Sequence, residues 1–176
     1  MDIRIEKTQK AIKNAFLELR SKKALEKISV KELCELACIN KSTFYSHYED
    51  IYALSESLEI ETVNSIVNSI SNDLYYTFFN PEACRELFLA FMSHSTIINI
   101  LFSGNDQGKL ASRMEQSIKE ALFEKHPEQK EHEKHNILLS YCIHGAFHAY
   151  MNNQHVPPER LISMIENIVK TLQPLY

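Results

Sequence analysis

Apolar side chains recur at intervals of three and four along nearly the whole 176-residue chain, and only three glycines and five prolines interrupt them. That period belongs to an α-helix with one face turned inward. No stretch alternates strictly as a half-buried strand does, and no segment repeats, so the expected class is all-α. The chain is long enough for a substantial core, since a domain of about 150 residues removes ~68–70% of its extended surface from water. No apolar run reaches the ~18 residues of a membrane span, so no membrane partner is expected.

One segment carries more information than periodicity. Residues 29–50 read SVKELCELACINKSTFYSHYED, two short helices joined by a tight turn. Ser29 is a side-chain N-cap, and Glu32 three residues later completes a capping box. Val30, Leu33, Leu36 and Ala37 would then share the buried face. Cys38, Ile39 and Asn40 form the turn, with Asn40 capping the second helix over 41–48. Lys41, Ser42, Thr43, Tyr45 and His47 lie on the outer side of that helix, while Phe44 and Tyr48 point inward. A short helix faced with hydroxyls, a lysine and a histidine suits a DNA major groove, where base edges and phosphates need such partners.

The flanking helices follow from the same period. Residues 4–22 place Ile5, Thr8, Ile12, Ala15, Phe16 and Leu19 on one stripe, with Lys7, Lys10 and Lys13 toward water. Leu25 and Ile28 in the next loop would close a small three-helix core. Asp50 caps a long helix carrying Ile51, Leu54, Leu58, Val63, Ile66, Val67 and Ile70. Twenty residues at ~1.5 Å each make a rod of ~30 Å. No glycine- or proline-rich linker follows, so two rigidly coupled parts are expected, 1–50 and 51–176. The aromatic segment 73–80 ends at Asn80-Pro81, a cap followed by proline at a first helical position. Helices are expected over 81–94 and 109–125, from the His-rich PEQKEHEKHN stretch to about residue 153, and over 159–172, with a short apolar piece at 96–102.

Formal net charge is −4 overall, yet it divides unevenly. Residues 1–50 hold ten Lys/Arg and eight Asp/Glu, net +2, and the remainder holds nine and fifteen, net −6. The balance excludes a general polyanion binder and leaves a modest basic excess beside the two short helices. With no secretory signal, Cys34, Cys38, Cys84 and Cys142 read as reduced cytosolic thiols, which places the chain in the cytoplasm. The spacing of Cys34 and Cys38 admits a metal or redox pair, but no second pair stands at zinc spacing and packing is the better reading.

The C-terminal part is rich in aromatics: Tyr75, Tyr76, Phe78, Phe79, Phe88, Phe91, Met92 beside them, Phe102, Tyr141 and Phe147. An apolar pocket with a few polar groups is the usual form of a small-molecule site. Phe88, Phe91, Met92, Phe102, Tyr141 and His144 are the candidate ligand-binding residues. His144 and His148 share a helix face, but no glutamate follows His144 in the zinc-protease pattern, so packing or pocket hydrogen bonding is the better reading. His126, His132 and His135 sit in a charged run and read as solvated. No nucleophile–base set, phosphate-cradling glycine loop or carboxylate dyad is present in the sequence, so no catalytic residue, metal or cofactor is assigned and an enzyme is not expected. Gly145 lies inside a helix, where it costs about 1 kcal/mol relative to alanine, a cost that close helix approach offsets.

Two segments in this order, IRIEKTQKAIKNAFLEL and EKISVKELCELACINKSTFYSHYED, resemble the TetR/AcrR family of transcriptional regulators over roughly the first third of the chain. The resemblance implies an N-terminal three-helix helix-turn-helix domain joined by a long helix to a C-terminal bundle for ligand binding and dimerisation. Matched to that pattern, Lys41 and Tyr45 take phosphate-contacting places, and Ser42, Thr43 and His47 take base-edge or nearby backbone places. It also implies a homodimer formed by the last two helices, here with Tyr141, Ala149, Leu161, Ile165, Ile168 and Leu172 as contacts. Such a dimer binds a palindromic operator on double-stranded DNA and is released by a small-molecule effector. One departure is Ile51, where many relatives carry a phosphate-binding lysine, with Glu49 and Asp50 before it. That departure leaves open a second reading, a co-regulator of the same fold that acts through a partner protein without an operator.

Overall fold

The computed structural model describes residues 3–70, 81–103 and 107–172. Nine α-helices and no strand occur among them: α1 Ile3–Arg20, α2 Val30–Ala37, α3 Lys41–Tyr45, α4 Ile51–Asn68, α5 Pro81–Ser93, α6 Ser95–Leu101, α7 Gln107–Lys125, α8 Glu133–Asn152 and α9 Pro158–Leu172. Tyr75, Tyr76, Phe78, Phe79 and the expected Asn80 cap lie outside the described residues. No helix among the described residues is long and apolar enough to cross a membrane.

The chain forms two compact units, Met1–Thr62 with Thr96–Ser103, and Val63–Ser95 with Gly104–Tyr176. The division falls inside α4, so the first unit holds twelve more residues of that helix's start than the expected boundary at residue 50 gave it.

In the first unit, Ile12, Ala15, Phe16 and Leu19 of α1 pack inward with Leu33, Cys34, Phe44, Leu54 and Leu58. Ile5 is exposed instead, near the start of α1 where the stripe has outrun its partners. Lys13 is half-buried and pairs with Glu61 on α4, so it is not a purely solvated lysine. Ser29 caps α2, its Oγ accepting from the Glu32 N–H at 3.2 Å. The Glu32 carboxylate turns to Lys23 instead of completing the box. The buried face of α2 is Val30, Leu33, Cys34 and Ala37, at i, i+3, i+4 and i+7, while Leu36 is left 42% exposed. Helical geometry thus overrides the greater hydrophobicity of leucine over cysteine. Between α1 and α2 a single 3-10 turn, Leu25–Lys27, delivers Ile28 to the core.

In the second unit α5 packs on α9, α7 on α8, and α8 on α9. Arg85 of α5 clasps α9: its Nε and Nη2 donate to the two carboxylate oxygens of Glu166 at 2.8 and 2.9 Å, and Nη1 donates to Glu159 at 2.9 Å. The His-rich stretch does not open α8 as its helix-friendly composition suggested. Pro127–Glu131 is a separate 3-10 turn, and His132 after it has non-helical ψ 88°. Asn136 holds that turn by donating to the carbonyls of Gln129 and Lys130 at 3.3 and 3.0 Å. His135 is half-buried with its ring stacked on His132 at 4.7 Å, not freely solvated.

Candidate functional site

The turn between α2 and α3 is built by two local devices. Cys38 closes α2 in the left-handed region, φ 55° and ψ 42°, and its N–H bonds back to the carbonyls of Cys34 and Glu35. Glycine ordinarily takes that position. Asn40 then caps α3, its side-chain oxygen accepting from the Thr43 N–H at 2.7 Å.

The same oxygen accepts from Ser42 Oγ at 2.7 Å and from Thr43 Oγ1 at 2.8 Å. A hydroxyl whose proton is held this way offers lone pairs outward. Ser42 and Thr43 are therefore acceptors, suited to the amino groups of adenine and cytosine in the major groove more than to a phosphate oxygen. Lys41 and Ser42 are exposed, Thr43 is half-buried, and Tyr45 is 56% exposed.

Phe44 anchors this face from beneath. It is fully buried, with its ring 5.5 Å from Tyr45 edge-on and 6.0 Å from Tyr48. The helix is shorter than the expected 41–48. The Phe44 carbonyl accepts from both His47 N–H at 2.9 Å and Tyr48 N–H at 3.0 Å, which tightens the last turn and ends α3 at Tyr45. His47 is thus half-buried in a turn beyond the helix, its ring 6.3 Å from Tyr48. Asp50 then caps α4, accepting from the Ala53 N–H at 2.7 Å. Ile51 is buried and turned into the core.

The second unit holds a cavity of about 60 Å³, taken as the space open to the centre of a water-sized sphere. Phe88 and Phe91 line it, together with Phe147 and Tyr150. The four rings form a cluster: Phe88 and Tyr150 lie 4.9 Å apart, and Phe91 meets Phe147 and Tyr150 edge-on at 6.1 and 5.9 Å. The space itself exists because small residues, Ala83, Cys84, Cys142 and Ala146, occupy the wall between them. A search for aromatics in the sequence overlooks them.

The other ligand-binding expectations fall elsewhere. Met92 is half-buried on α5 and does not line this cavity. Phe102 is buried within the first unit. Tyr141 is 66% exposed on α8. His144 belongs to a polar cluster between α7 and α8, with its Nε2 2.8 Å from Glu115 Oε2. Lys119 Nζ donates to Glu115 at 2.6 Å and to Ser140 at 2.8 Å, and Ser140 also donates to Glu115. Burial pushes the Glu115 carboxyl up, but the hydrogen bonds from Lys119, Ser140 and His144 outweigh it and hold the group at about 2. Its anion is fully matched within the cluster.

The outward side of α8 and α9 carries four large apolar side chains among polar ones. Ile137, Tyr141, Met164 and Ile168 are 70, 66, 48 and 58% exposed. A shallow groove runs between the two helices past Gly145, Ala149, Ile168 and Leu172. A β-carbon on Gly145 would meet nothing within 4 Å in the single chain. Leu161 and Ile165, two expected dimer contacts, are instead buried within the chain's own core. α7 begins two residues earlier than expected and so takes in a glycine, Gly108. No protein-family model and no curated protein matches this sequence.

Proposed function

We propose that this chain is a DNA-binding transcriptional regulator of the TetR/AcrR type, a homodimer that reads a palindromic operator and leaves it when a small molecule binds. The observation that carries the reading is the α2–turn–α3 unit. Its Asn40 cap and buried Phe44 hold Lys41, Ser42 and Tyr45 exposed, with Thr43 half-buried beside them. Lys41 and the Tyr45 hydroxyl are donors, which suit phosphate oxygens, and the two capped hydroxyls are acceptors, which suit base amino groups. Lys7 and Lys10 add exposed positive charge on α1. The exposed apolar side of α8 and α9 supports a two-fold dimer, which matches a palindrome because symmetry presents two such faces to two half-sites.

Release follows from a population shift. An effector that binds only the form with badly spaced faces draws the dimer off its operator. The test is enrichment of bound fragments from a pool of random duplex DNA at low salt. A palindrome with half-sites one or more helical turns apart supports the regulator. No enrichment contradicts it and favours the co-regulator reading, which the acidic pair Glu49 and Asp50 beside a buried Ile51 would then explain.

A further inference from the structure

We infer that the cavity of the second unit takes an uncharged, hydrogen-bond-poor molecule no larger than one substituted ring, and that this molecule is the effector. The inference rests on the regulator reading for its second half only. Its first half rests on the chemistry of the wall.

Apart from Ile70, which follows α4, every lining residue lies in α5, α7, α8 or α9: Ala83, Cys84, Leu87, Phe88 and Phe91 on α5, Met114 on α7, five residues from Cys142 to Tyr150 on α8, and Val169 on α9. Within a helix the backbone N–H and C=O groups bond to one another, so the helical wall offers a ligand few free amides. Among the described residues, four side chains on the wall carry a heteroatom: the thiols of Cys84 and Cys142, the thioether of Met114, which accepts only weakly, and the hydroxyl of Tyr150. Burial pushes the Cys84 thiol up to about 12, with Glu166 and Cys142 nearby adding to it, and burial pushes the Cys142 thiol up to about 11. Both stay neutral, and a thiol is a weak donor and acceptor.

Among the described residues, no charged side chain lines the space. The nearest cation in sequence, Arg85, is engaged by Glu166 and Glu159. The acid Glu115 is matched by Lys119, Ser140 and His144. A carboxylate or phosphate would exchange its hydration shell for the single Tyr150 hydroxyl, and an ammonium would meet no anion, so a charged ligand is excluded by that cost. Size follows from volume. About 60 Å³ is under half of the ~150 Å³ dry cavity that holds benzene, so the space takes at most one ring, with its substituent toward the mouth.

Three probes sharing one ring separate the possibilities: toluene, benzoate and benzylammonium. The full chain is titrated with each, without DNA, and two quantities are read. One is the melting temperature. The other is the rate at which methyl methanethiosulfonate labels each cysteine. Cys38 is exposed and serves as the internal reference. Toluene should raise the melting temperature, and at ten times its Kd it leaves about one cavity in eleven open, slowing labelling of Cys84 and Cys142 about tenfold. Cys38 labelling should not change. Benzoate and benzylammonium should do neither.

Equal binding by either ion overturns the chemistry assigned to the wall, and so does a lack of response to toluene. An Ala146→Phe variant fills the space and should abolish the toluene response. A folded variant that keeps it contradicts the location. DNA enters only in a second step. Toluene that protects the thiols but leaves operator affinity unchanged overturns its role as effector while upholding the cavity's chemistry.

Discussion

On the face proposed to meet DNA, single residues divide into those that present it and those that hold it up. Lys41 and Tyr45 are exposed, and the Tyr45 ring also meets buried Phe44 edge-on at 5.5 Å. Lys41→Ala and Tyr45→Phe, which removes the hydroxyl and keeps the ring, should each lower operator affinity about five- to tenfold, on the order of 1 kcal/mol per lost phosphate contact, with melting temperature and dimer mass unchanged. Fluorescence anisotropy with a labelled duplex reads the first quantity and light scattering the second. Phe44 supports the face from below and should behave differently, because emptying a fully buried aromatic site removes stability along with binding. Cys38 gives a test of opposite sign. It is a non-glycine residue at φ 55°, so Cys38→Gly relieves the β-carbon and should raise stability by about 0.5–1 kcal/mol in a denaturant titration. The caps Ser29, Asn40 and Asp50 were legible in sequence because capping is a local contest settled within four residues. The exchange of Leu36 for Cys34 on the buried face was not legible from hydrophobicity alone, because the side of the helix decides it.

Elements bring together what sequence distance hides. The wealth of aromatics in the sequence pointed to Phe88 and Phe91, and both line the cavity. No spacing rule links His144 to Glu115, which sits on the neighbouring helix. That cluster ties α7 to α8 and gives the pair a defined pH dependence. Folding lowers the Glu115 pKa from the ordinary 4.5 to about 2, so the ionised form is the one stabilised. The stabilisation is complete above the unfolded value and is lost as pH falls from there toward about 2. Glu115→Gln should therefore melt below wild type by a constant margin above about pH 5, and the margin should close as pH falls toward 2. Calorimetry across that range checks the sign, and a margin that widens in acid contradicts it. The turn at Pro127–Glu131 was hidden for a related reason. Its Glu, Lys and Gln residues favour helix locally, while Asn136 reaching back to Gln129 and Lys130 is a tertiary choice.

The whole molecule is an all-helical chain whose charge and apolar surface are unevenly shared, with net +2 in residues 1–50 and −6 beyond them. A dimer would cover Ile137, Tyr141, Met164 and Ile168, four large apolar side chains that the single chain leaves to water. Gly145 has open space before it, so its lack of a side chain suits approach by another helix better than any need of its own fold. Gly145→Leu should leave the monomer folded, since nothing lies within 4 Å of the new β-carbon, and should weaken self-association at least tenfold, about 1.4 kcal/mol. Sedimentation equilibrium reads that change, and an unaltered dimer would move the interface elsewhere. Fold class was legible in the repeat of three and four. The cavity was not, because small residues on two helices, α5 and α8, shape it and only their assembly makes the space.

The claim beneath all of these is that the face led by Lys41 and Tyr45 touches DNA. Amide chemical shifts of the labelled protein, followed as an enriched duplex is added to saturation, report that contact residue by residue. The account predicts that Lys41, Ser42, Thr43, Tyr45 and His47 show the largest changes. Bound DNA that leaves those amides where they were, with the changes gathered on α8 and α9, would contradict it.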